Sequence, residues 1–157
     1  MDEQLVDQLK TYFASLPGME LVYLFGSQVG KNTGPMSDYD LALWVENGID
    51  TEYLSARIAH EIQINLGIAP IDLVFLKNAP IELAYAIIAQ GICVYQKDRA
   101  TRVEFEANVL SRYCDYLPIL RTFRKDILKG GDDEHRVQRY REALRRTERT
   151  LSQIRKP

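Results

Sequence analysis

The chain has 157 residues, enough for one domain with a proper hydrophobic core and too few for two. Apolar residues make up 46% and charged residues 27%, the balance of an ordinary soluble globular protein, and no apolar run approaches the roughly 20 residues that span a bilayer. The net charge of −2 conceals an asymmetry: residues 1–98 hold 5 Lys+Arg against 13 Asp+Glu, and residues 99–157 hold 15 against 9.

The N-terminus, MDEQLVDQLK, is acidic and helical in pattern, which excludes a signal peptide. Leu5, Leu9 and Phe13, with Val6 and Tyr12, recur at helical spacing over residues 2–15, and Pro17-Gly18 stops that helix. ELVYLF (20–25) is a short run of strand formers ended by Gly26. The next 12 residues, GSQVGKNTGPMS, hold three glycines and one proline and predict a loop. YDLALWVE (39–46) reads as a second strand. Asp50-Thr51 caps a helix to Leu66, with Leu54, Ile58 and Ile62 on one stripe and Gly67 closing it. PIDLVFL (70–76) predicts a third strand, Ile81 to Gln90 a short helix, and ICVYQ after Gly91 a fourth strand.

From Arg99 onward the pattern is helical. Val103, Ala107, Leu110, Cys114 and Leu117 form an apolar stripe, and Pro118 kinks the segment or opens a new helix. Leu120, Phe123, Ile127 and Leu128 continue it to Gly130-Gly131. A final seam, Val137, Tyr140, Leu144, Thr147, Leu151 and Ile154, has coiled-coil spacing and is flanked by arginines. It packs on the chain's own domain, self-associates or docks on a partner helix; the surrounding positive charge favours something acidic. The expected fold class is α/β: a small mixed sheet of about four strands flanked by helices over residues 1–98, C-terminal helices over 99–129 packed on that core, and a helical extension over 132–157. Cys93 and Cys114 sit in apolar contexts without a CxxC and are expected as buried free thiols in a reducing cytoplasm. Neither His60 nor His135 has a carboxylate or cysteine at ligand spacing, and neither is assigned a role.

The chemistry lies in LFGSQVGKNTGPMSDYDLALWV: Gly26-Ser27, ten residues, then Asp38-x-Asp40. Four specified residues at that spacing match by chance about once in 10⁵ start positions. Side chains at i and i+2 of a strand leave the same face, about 7 Å apart. Two carboxylates that close repel unless a cation lies between them, and a hard divalent ion with oxygen ligands suits them. Asp72 is a lone acid in an apolar strand, costly to bury unless its strand pairs beside residues 39–46 and it joins the same metal site. Gly26 lets the backbone approach a ligand, and N–H groups at such a turn cradle phosphate oxygens, with Ser27 adding a hydroxyl.

A GSx10DxD motif followed by a strand aspartate resembles the polymerase-β-like nucleotidyltransferase superfamily. The brevity of the domain resembles the minimal nucleotidyltransferase (MNT) antitoxins that pair with HEPN ribonuclease toxins. The resemblance covers roughly residues 1–129. It implies that Asp38 and Asp40 bind two magnesium ions holding the triphosphate of ATP. Asp72 would complete one metal's coordination and help deprotonate the attacking hydroxyl, and Gly26 and Ser27 would bind the β- and γ-phosphates. Where many relatives carry an Ala-Arg-Gly element, this chain has Gln28-Val29-Gly30-Lys31, so Lys31 would replace the arginine near the phosphates and lose its bidentate geometry. The implied function is transfer of AMP from ATP to a tyrosine hydroxyl of a cognate HEPN toxin, in a cytoplasmic hetero-oligomer with no membrane and no direct nucleic-acid contact. The alternatives are adenylylation of a small molecule of the aminoglycoside type, and a binding-only antitoxin whose site is a relic.

Overall fold

The computed structural model describes residues 3–26, 38–68 and 70–128. The elements are α1 (Glu3–Ala14), β1 (Met19–Phe25), β2 (Tyr39–Val45), α2 (Thr51–Leu66), β3 (Ile71–Phe75), α3 (Ile81–Gln90), β4 (Ile92–Gln96) and α4 (Arg99–Leu128). Two compact units divide the chain, Met1–Asp115 and Tyr116–Pro157; the first contains the sheet, and the described part of the second is the closing stretch of α4.

The strands lie in the order β3-β2-β1-β4. β1 pairs antiparallel with β2 and with β4, while β2 and β3 run parallel. A parallel neighbour needs a crossover, and α2 supplies it. The caps of that helix are local: Asp50 accepts from the N–H groups of Glu52 and Tyr53, and Gly67 ends it in the left-handed region at φ 65°.

Strand alternation divides the core into two layers. Val22, Leu24, Leu41, Leu43 and Val45 face Leu9 and Phe13 of α1 and Leu54, Ile58 and Ile62 of α2. Leu21, Tyr23 and Ala42 face Ala84 and Ile87 of α3 and Phe105 and Val109 of α4. This is the expected α/β arrangement, a four-stranded mixed sheet between helices.

Helix α4 decides one open alternative and departs from expectation twice. It runs through Pro118 as one element, so no new helix opens there. A proline inside a helix removes one backbone hydrogen bond. The apolar stripe read from the sequence is not the one that packs: Val103 and Leu110 are 56% and 46% exposed, whereas Phe105 and Val109 are buried. Cys114 lies on that outward stripe and is exposed, a correction to the expected buried thiol; Cys93 is half-buried, and both are free. The inward face is the one whose aromatic Phe105 packs on Trp44, centroids 4.7 Å apart. The same face carries Glu106, which accepts hydrogen bonds from Tyr23 Oη at 2.8 Å and Arg102 Nε at 2.7 Å.

No helix among the described residues is long and apolar enough to cross a membrane. The seam from Val137 to Ile154, His135 and the rest of 129–157 lie outside the described residues.

Candidate active site

The end of β1, the start of β2 and the start of β3 lie side by side. In the antiparallel pair, Phe25 is opposite Asp40. In the parallel pair, Asp40 is opposite Asp72. Leu41, Leu43, Ile71, Leu73 and Phe75 all pack toward α1 and α2. The intervening positions, Asp40 and Asp72, therefore share the opposite face, that of Ala42, α3 and α4. The lone acid of β3 thus stands where the sequence argument required it, beside Asp40.

Asp38 stands just ahead of β2, two residues before Asp40 and of the same parity. The chain is already held against the β3 side there, because the Tyr39 N–H donates to the Pro70 carbonyl at 3.1 Å. Asp38 and Asp72 are exposed and Asp40 is half-buried. The Asp40 carboxyl is pushed above its ordinary value, first by burial and then by the charges of Asp72 and Asp38. Both neighbours thus act electrostatically on the central carboxylate.

Gly26 follows Phe25 at φ +75°, a conformation that side chains rarely adopt. A Cβ built there would overlap the Asp40 carboxylate. The glycine turn is therefore pressed directly against the central acid, and only glycine allows it. Ser27 and Lys31 lie outside the described residues.

Among the described residues no three His, Cys, Asp or Glu side chains close into a ready metal cluster. Asp38, Asp40 and Asp72 nonetheless offer only hard oxygen donors, and their mutual repulsion is what a divalent cation would relieve. The donor set fits magnesium. Sequence reasoning had no signal for the half-burial of Asp40, which depends on three segments converging.

Among solved structures, the chain is similar to a chain in the complex of a tri-AMPylated HEPN toxin with an MNT antitoxin from Shewanella oneidensis (21% identity, TM-score 0.62, covering 81% of this chain and 99% of that one). It is equally similar to a chain in a toxin–antitoxin structure with AMP-PNP (22% identity, TM-score 0.63, 82% and 99% covered). A MntA–HepT toxin–antitoxin structure matches at 21% identity and TM-score 0.60, covering 80% of this chain and 99% of that one. These likenesses show a shared fold. No curated protein gives a significant match. The family model described as polymerase beta, nucleotidyltransferase matches residues 7–100, more than half of the sequence. With the glycine turn, Asp38, Asp40 and Asp72 all inside the matched segment, the chain belongs to the polymerase beta nucleotidyltransferase family.

Proposed function

We propose that the chain is an antitoxin enzyme that transfers AMP from ATP to a tyrosine hydroxyl of a cognate HEPN toxin and so neutralises it. The observation that carries the reading is Asp40, opposite Asp72 on one side and pressed by the Gly26 turn on the other. The similarity to chains from MNT–HEPN and AMP-PNP-bound toxin–antitoxin structures supports the choice of acceptor and nucleotide.

In this reading Asp38, Asp40 and Asp72 would hold magnesium, two ions in all, which would supply charge neutralisation for the triphosphate and for the entering and leaving oxygens. The backbone at Gly26, with Ser27 and Lys31 beyond it, grips the β- and γ-phosphates. Asp72 orients the acceptor hydroxyl and draws its proton away. The tyrosine oxygen then bonds to the α-phosphorus, the bond from that phosphorus to the β-phosphate oxygen breaks, and pyrophosphate leaves. A reaction that draws on ATP is read here as cytoplasmic. The working assembly is a hetero-oligomer with the toxin, without membrane or direct nucleic-acid contact. In the same reading the chain divides into a transferase core over residues 1–98, a helical segment over 99–129 and an extension over 132–157 that would serve a partner.

The test is co-expression with the cognate HEPN toxin followed by intact-mass analysis. Wild type should add whole AMP increments to a toxin tyrosine, and Asp38→Ala or Asp40→Ala should add none. An Asp38→Ala/Asp40→Ala double variant that neutralises as well as wild type would establish the binding-only alternative instead. Labelling of aminoglycosides but not of the toxin would establish the small-molecule one.

A further inference from the structure

A concavity lies at the other end of the sheet from Asp40. It is a cavity of about 390 Å³ lined by Glu20, Trp44, Thr101, Glu104, Phe105 and Asn108. Trp44 is four residues beyond Asp40 on β2, about 13 Å along the strand, so the cavity is separate from the aspartate site. Its volume is that of a small-ligand pocket.

The lining is specific in its chemistry. Trp44 and Phe105 make an aromatic wall, with ring centroids 4.7 Å apart at 44°. Two carboxylates, Glu20 and Glu104, join it, and no cation lines it. Glu20 is there because of a local irregularity in β1. The register with β2 shifts between Met19 and Leu21, which pair with Val45 and Trp44, leaving Glu20 as the extra residue. A bulge of this kind re-aims a side chain, here onto the Trp44 face rather than toward α1 and α2. Lys97 Nζ is 3.8 Å from Glu20 but 2.9 Å from Glu46, so its closer pairing is elsewhere. Among the described residues, Glu104 and Asn108 make no side-chain hydrogen bond or ion pair, and the Trp44 indole N–H has no acceptor.

We propose that this cavity binds an organic cation, an ammonium or guanidinium group lying over the Trp44 ring and paired with Glu20 and Glu104. A cation over an indole face is attracted by the ring quadrupole, and two carboxylates beside it supply the counter-charge. Asn108 and Thr101 would accept the remaining N–H donors. The group belongs either to an arginine side chain of another protein or to a free polyamine; the chemistry of recognition is the same. The site does not depend on the nucleotidyl-transfer reading.

Trp44 is the sole tryptophan of the sequence, so its fluorescence reports on the cavity directly. The full chain is titrated with N-acetyl-argininamide, with spermidine, and with the uncharged isostere N-acetyl-citrullinamide. The expected result is a saturable fluorescence change with a cation and none with the isostere. Glu20→Gln/Glu104→Gln should weaken binding at least about tenfold, as loss of two nearby counter-charges requires. A stronger response to argininamide assigns the group to a protein side chain, and a stronger one to spermidine assigns it to a free amine. Far-UV circular dichroism checks that the variant folds, and Asn108→Ala, on the exposed helix surface, gives a second and milder perturbation. The proposal fails if neither cation gives a saturable change, if the isostere does as well, or if the folded double variant binds like wild type.

Discussion

Asp40 lies opposite Asp72 across the parallel β2–β3 pair, and the two side chains share one face of the sheet. Neighbouring strands are about 4.8 Å apart, so two carboxylates in this register repel at close range. Such a pair is tolerated where function needs it, at a cost to the fold.

Removing one charge should therefore stabilise the metal-free protein and, under the proposed function, weaken transfer. Asp72→Asn is expected to raise the thermal midpoint in chelator and to lower AMP transfer by at least about 10-fold, the loss that changes even to the outer shell of a metal site bring. Magnesium should raise the midpoint of wild type and do so much less in Asp72→Asn. Equal stabilisation of both by magnesium would remove Asp72 from the proposed metal site.

The raised Asp40 pKa gives a pH signature. Between the ordinary value of 3.8 and the raised one, the folded chain keeps a proton that the unfolded chain has lost. The folded state then binds more protons, so stability falls as pH rises through that window and the penalty is complete above it. Urea midpoints from about pH 4 to 7 should show this slope in wild type, measured in chelator. Asp40→Asn should flatten it, and an unchanged slope would mean that the Asp40 carboxyl is not perturbed.

Gly26→Ala combines a strained φ with overlap on the Asp40 carboxylate. The expected cost is about 1–3 kcal/mol of stability, with ATP-analogue affinity falling as well because the turn must retreat from the acid. Denaturant unfolding and calorimetric titration measure the two effects separately. A variant as stable as wild type would show that the turn is free to relax.

The two stripes of α4 can be told apart by substitution. Phe105→Ala should cost about 3–5 kcal/mol, since the ring is buried against Trp44 and Tyr23. Val103→Ser and Leu110→Gln should each stay within about 0.5 kcal/mol, as exposed positions do. Chemical denaturation of the three variants checks the assignment, and a large loss at Leu110 would contradict it.

Element by element, most of the fold was legible in the chain. Asp50 and Gly67 announce the ends of α2, the spacing of Leu54, Ile58 and Ile62 marks its inner face, and the bounds of α3 and β4 follow from Ile81, Gln90 and Gly91. These are local signals, carried by residues within a turn or two of one another. The Gly26-Ser27 and Asp38-x-Asp40 spacing is also written in one stretch of sequence, and so it could be singled out before any pairing was known.

What only the tertiary structure decided is non-local. The register that sets Asp72 against Asp40, and the approach of Gly26 to that carboxylate, depend on segments more than 10 residues apart meeting in space. Helix α4 carries two stripes of equal periodicity, and only the shape of the sheet face, with Tyr23 and Trp44 on it, selects Phe105 and Val109 over Val103 and Leu110. The bulge that turns Glu20 toward Trp44 has no sequence mark at all, because it arises from the mismatch between two paired strands. Periodicity determines which faces a segment offers; packing against distant residues decides which one is used.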